Sequence, residues 1–102
     1  MMRGTTPTLT FTVPFDVSTA KKLWITFSQN NREIFTIDKE DCEIDGETIT
    51  TVLSQTQTLA LSGNCLVKIQ MRASFSGSNN DRAVASDIVT VTVNELLKDG
   101  EI

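Results

Sequence analysis

The sequence predicts an all-β protein, an antiparallel β-sandwich of immunoglobulin-like type with about seven or eight strands. Three observations carry that reading. The stretch from Cys65 to Phe75 alternates strictly: Cys65, Val67, Ile69, Met71, Ala73 and Phe75 share one face, and Lys68, Gln70, Arg72 and Ser74 the other. Such a strand covers a core on one side and meets water on the other, whereas a helix would scatter the same residues round its circumference. Turn residues also recur at the spacing of short strands, about every 8 to 12 residues. The chain is rich in threonine, whose β-branched side chain suits both faces of a strand. A small barrel would satisfy the same strand count and is the alternative.

Residues 1–7 form a polar arm, and Pro7, which lacks a backbone donor, sets it at a sheet edge or leaves it free until a partner orders it. Leu9, Phe11 and Val13 alternate with threonines in a first strand that ends at Pro14. Phe15 to Lys22 loses the two-residue period, and Asp16 or Ser18 can accept from nearby amides, which predicts a single helical turn. Leu23, Ile25 and Phe27 oppose Trp24, Thr26 and Ser28 in a second strand. Asn30-Asn31 tolerates the positive φ of a hairpin turn into Glu33 to Asp38, where Phe35 and Ile37 share a face opposite Ile34.

Lys39 to Asp41 reads as a charged connector and Cys42 to Ile44 as a short strand. Asp45-Gly46 ahead of Ile49 and Leu53 is the strongest hairpin signal in the chain. Ser54 to Thr58 breaks the pattern as a loop or one helical turn that carries the chain from one sheet to the other. Leu59 to Leu61 packs down, Ser62-Gly63-Asn64 turns, and the long alternating strand follows. Ser76 to Arg82 is a hairpin tip. Val84 to Val93 is a last strand with Val89, Val91 and Val93 on one face and Ile88, Thr90 and Thr92 on the other. Apolar Ile88 and Val89 on its two faces predict an interior strand, or one covered by a partner. Residues 95–102 form a tail with too few apolar residues for a helix standing alone. The length suits a single domain, residues 1–102, around one core.

Charge and residue types narrow the chemistry. The net charge is −4 and the basic residues are spread along the chain, which disfavours nucleic acid because phosphate binding needs clustered cations. Histidine is absent, which removes Ser-His-Asp and Cys-His nucleophiles and histidine metal sites. The acidic run Asp38, Glu40, Asp41, Glu43, Asp45 and Glu47 does not match the spacing of an EF-hand loop and reads as a solvated edge that discourages strand pairing. Cys42 and Cys65 are expected to be reduced and structural. No apolar run is long enough to cross a membrane, and the expectation is a chain made in the cytoplasm. No enzyme, cofactor or metal is expected, which leaves a binding or assembly module. Trp24, the one tryptophan, either caps the outer side of its strand, anchors a protein interface, or stacks on a sugar whose hydroxyls Gln29, Asn30 and Asn31 would bond.

Several phrases together carry a resemblance: Arg3-Gly4-Thr5-Thr6-Pro7-Thr8, Pro14-Phe15, Trp24 to Gln29, Leu53 to Leu59, Ile69 to Arg72 and Ala85-Ser86-Asp87. Over nearly its whole length the chain resembles small proteins encoded by phages and prophages of Gram-positive bacteria among the structural genes for tail and baseplate. Its pattern is also similar to the immunoglobulin-like N-terminal domain of upper baseplate proteins. That group favours a Glu-rich segment where this chain has Ser54 to Thr58. The resemblance implies a virion structural protein that contacts copies of itself or other phage proteins, with a cell-surface glycan as the alternative partner. The contacts are then expected at Arg3, Thr5 and Thr6 of the arm, at Trp24, and at Leu96, Leu97 and Ile102 of the tail.

Overall fold

The structure, a computed structural model, describes residues 1–77, 82–98 and 100–102. The elements run β1 (Thr8–Thr12), β2 (Lys22–Gln29), β3 (Arg32–Asp38), a 3-10 turn (Lys39–Asp41), β4 (Glu43–Asp45), β5 (Thr48–Val52), α1 (Gln55–Leu59), β6 (Cys65–Phe75), β7 (Arg82–Ala85) and β8 (Val89–Val93). They form an all-β sandwich of two antiparallel sheets. One has the order β1-β5-β4; the other runs β3-β2-β6, with both β7 and β8 on the far side of β6. This is the order in which a variable-type immunoglobulin sandwich sets its B-E-D and C′-C-F-G strands. Among the described residues no strand stands beside β1, where that architecture sets strand A.

The alternation seen in the sequence is what closes the sandwich. Val67, Ile69, Met71 and Ala73 of β6 are buried together with Leu23, Ile25 and Phe27 of β2, and Ile49 and Leu53 close the core from the smaller sheet. The Phe27 and Phe35 rings stack with centroids 4.5 Å apart at 21°, a contact worth about 1 kcal/mol beyond burial. Asn30 and Asn31 both take positive φ, as a tight hairpin between β2 and β3 requires. Ser54 accepts from the Gln57 amide while Gln57 Oε1 accepts from the Ser54 amide, a reciprocal cap that fixes the start of α1. As expected, this segment carries the chain between the sheets.

Three expectations need correction. The segment from Phe15 to Lys22 holds no helical turn: Asp16 Oδ1 accepts from the Ser18 amide and hydroxyl, and Ala20 N–H donates to Val17 O, which closes a β-turn. The last strand is divided. β7 pairs Arg72 with Ala85 and β8 pairs Ile69 with Val89, so residues 86–88 stand against only Gln70 and Met71. That extra residue is a β-bulge, and Ser86 holds it, since its hydroxyl accepts from Met71 N–H and its own N–H donates to Met71 O. Nor is β8 an interior strand. It lies at the edge of its sheet, leaving Ile88 and Val89 exposed. The expected hairpin tip at 78–81 lies outside the described residues.

Gln29 ties the end of β2 to the turn before β6. Its buried amide donates to Ser62 O at 3.0 Å and accepts from Ser62 N at 2.7 Å. Removing both bonds by Gln29→Ala is expected to cost about 2 kcal/mol and to lower the thermal midpoint by about 10 °C, read by calorimetry. An unchanged midpoint would show that the tie is not structural.

Candidate interaction surface

The polar arm is built into the edge of the larger sheet. Met1 N donates to Thr92 O at 2.8 Å, Asn94 N–H to Met1 O at 2.6 Å and Arg3 N–H to Asn94 O at 3.2 Å, forming a short parallel bridge between Met2 and Asn94. Arg3 turns its guanidinium to the end of α1, where Nε donates to Leu61 O at 2.6 Å and a terminal nitrogen to Leu59 O at 2.9 Å. Helix ends leave such carbonyls without intrahelical donors, and an arginine fork satisfies two of them. Thr5 donates its hydroxyl to Met2 O, and its carbonyl accepts from the fully buried Thr58 hydroxyl. Gly4 has φ +71°, which favours glycine, and a Cβ there would lie 2.6 Å from the tip of the Leu96 side chain, which would have to shift. Arg3, Thr5 and Leu96 therefore meet in one packed corner around α1. Thr6 is exposed.

The tail hooks onto the same corner. Gln55 donates to Ile102 O at 2.9 Å and accepts from Ile102 N–H at 2.7 Å, while Thr56 donates to the Glu101 carboxylate at 3.0 Å. The main chain is pinned at Ile102, yet its side chain, like that of Leu97, points wholly into solvent, at 108% and 110% of reference exposure respectively.

Trp24 stands apart, on the outer face of the larger sheet toward the Phe75 end of β6. It lies opposite Arg72 on β6 and Asp38 on β3, is 45% exposed, and has the Arg72 guanidinium 5.8 Å from its ring centroid, within cation–π range. A hollow of about 130 Å³ beside it is lined by Lys22, Ser74 and Ala83. The residues expected to complete a sugar platform are not there. Gln29 is buried and engaged with Ser62, and Asn30 lies six residues along the strand, about 20 Å from Trp24 at the rise of an extended chain.

Glu40, Asp41, Glu43, Asp45 and Glu47 are exposed around β4, and among the described residues no three metal-ligating side chains converge. Cys42 and Cys65 are both free thiols. Burial pushes the Cys42 thiol up, the Asp41 and Asp38 carboxylates add to the rise, and a hydrogen bond with Thr51 opposes it. The exposed Asp16 carboxyl is held below its usual range by the Ser18 hydroxyl and amide.

One surface was not foreseen from the residues. A groove of about 550 Å³ runs between β1 and the edge formed by the bulge and β8, with Leu9, Phe11, Ile69, Met71, Val89 and Val91 along it. The available signal was the strand Thr8–Thr12 itself: of the edge strands it and β8 carry no charge, and the arm bonds to β8 but not to β1. Comparisons with protein-family models, with curated proteins and with solved structures find no match.

The Cys42 environment has a readable sign. A raised thiol holds less thiolate at pH 8, so iodoacetamide is expected to label Cys42 faster in urea than in the folded chain. Asp41→Asn removes one of the charges that raise it and should quicken labelling of the folded protein. Peptide mapping by mass spectrometry follows Cys42 separately from Cys65, and a slower reaction in Asp41→Asn would reverse the argument.

Proposed function

We propose that this chain is a structural module of a phage or prophage virion, a part of the tail or baseplate that acts through protein–protein contacts rather than by turning over a substrate. The resemblance supplies the context. The observation that carries the reading is the presentation of Leu97 and Ile102: Ile102, whose main chain Gln55 pins to α1, and Leu97 earlier in the tail each display a large apolar side chain entirely to water. Exposed apolar groups gain stability when a partner covers them. The partners are copies of the chain or other virion proteins, and the site of action is the virion, after synthesis in the host cytoplasm.

The double change Leu97→Glu and Ile102→Glu is expected to lower association at least tenfold, measured by light scattering of the chain alone and by co-purification with the products of its flanking genes. The thermal midpoint should move little, because surface substitutions away from packed features usually stay within about 0.5 kcal/mol. Unchanged association would remove the tail from the interface.

A second reading, cell-surface sugar binding, is favoured by the half-exposed Trp24 ring with Arg72, Lys22 and Ser74 beside it. Cell-wall glycan fragments should then shift Trp24 fluorescence in the wild type and fail to bind Trp24→Ala; emission unmoved at saturating sugar would dismiss it.

A further inference from the structure

The hydrogen bonds of β1 have a parity that leaves one side of it open. Leu53 N–H donates to Pro7 O and Val13 N–H to Glu47 O, and the register pairs Leu9 with Thr51 and Phe11 with Ile49. In an antiparallel ladder directly opposed pairs alternate between bonded and non-bonded, so odd-numbered residues of β1 bond to β5. The N–H and C=O groups of Thr8, Thr10 and Thr12 consequently point the other way, toward the groove, where no strand of the described chain meets them. A row of alternating donors and acceptors at strand spacing is matched by an extended main chain and by little else.

The remaining features of the groove state what that chain must be. Its apolar wall, formed by Leu9, Phe11, Ile69, Met71, Val89 and Val91, asks for apolar side chains at alternate positions. Asp87 is the one ionised side chain along it, which asks for a cation nearby. The segment does not come from this chain's own ends. The arm is bonded to β8 and α1, and neither residues 1–6 nor residues 95–102 place three apolar residues at alternate positions. A copy pairing through its own β1 does not meet the charge requirement either, because that strand carries no lysine or arginine to bring to Asp87.

We infer that the groove beside β1 receives one extended segment of a different protein chain, apolar at alternate positions and carrying a lysine or arginine where it passes Asp87. This inference rests on the assembly reading and names the kind of partner and its seat. The segment adds a strand to the β1-β5-β4 sheet and covers the half-exposed Val89 in the same step.

A randomised library of eight-residue peptides, selected on the intact protein, tests it. Enriched sequences are expected to alternate apolar and polar residues, to include a basic residue, and to slow hydrogen exchange at the Thr8, Thr10 and Thr12 amides. Thr10→Pro removes a donor that faces the groove and none that faces β5, and should weaken those peptides about tenfold or more. Asp87→Asn should weaken a basic peptide and spare its norleucine analogue. N-methylation of the peptide's own β1-facing amides gives the same tenfold loss without altering the protein, whereas methylation of the intervening amides should not.

No enrichment, protection centred elsewhere, or affinity indifferent to N-methylation overturns the groove. Association with flanking-gene products through Leu97 and Ile102, without such peptides, overturns the groove alone. Peptide capture by a chain that associates with none of those products supports the groove and overturns the virion assembly reading.

Discussion

Both sheets close over the inner face of β6. It is the longest of the described strands and, like β2, is paired along both sides for most of its length, with β2 against Lys68–Ser74 on one side and β7 and β8 in succession on the other. Neighbouring strands on both sides offer partners to its backbone groups, the condition for burying Val67, Ile69, Met71 and Ala73. The smaller sheet then needs only to lay Ile49 and Leu53 over that floor. The corner at α1, the Gln29 tie and the arm are devices that hold the ends of this arrangement together.

The unequal widths of the two sheets leave edges of different character. β3 carries Arg32, Glu33 and Asp38, and β4 carries Glu43 and Asp45, charges that discourage pairing with stray strands. The edge of β8 is partly covered by the arm. β1 has none of these protections: its outward residues are three threonines and its inward ones Leu9 and Phe11, only half-buried. An unguarded edge left in one place, on a chain that guards the others, reads as an edge kept for use.

Most of the fold was legible because one signal, the two-residue period, governs it. β1, β2, β3 and β6 stand where the alternation sets them, and β6 spans the very residues that alternate. What escaped was whatever depends on counting rather than period. The bulge at Ser86 is one added residue inside a run that still looks like a strand, and the cap on α1 is the pair Ser54 and Gln57, visible once the three-residue spacing of a reciprocal cap is sought. Among the candidate contacts, Leu97 and Ile102 are exposed, whereas Arg3 and Thr5 bond within the chain. Sequence shows that a residue can donate; only the fold shows whether a carbonyl of the same chain is already there. The groove was illegible for a related reason, since an empty place beside β1 is a property of how wide each sheet grows.

The bulge also sets an arithmetic for change. Val84 and Val89 are five apart, an odd interval that a plain strand would send to opposite faces, yet their partners Ala73 and Ile69 both face inward. Deleting one residue between them would take out the bulge and leave an even interval, so a plain strand would keep Val89, Val91 and Val93 facing inward; a second deletion would turn everything beyond it by half a period, offering Thr90 and Thr92 to the oily side and Val91 and Val93 to water. That segment can therefore shed its one extra residue without turning the strand beyond it, whereas the loss of two must be answered by a new bulge or by a second change farther along the strand.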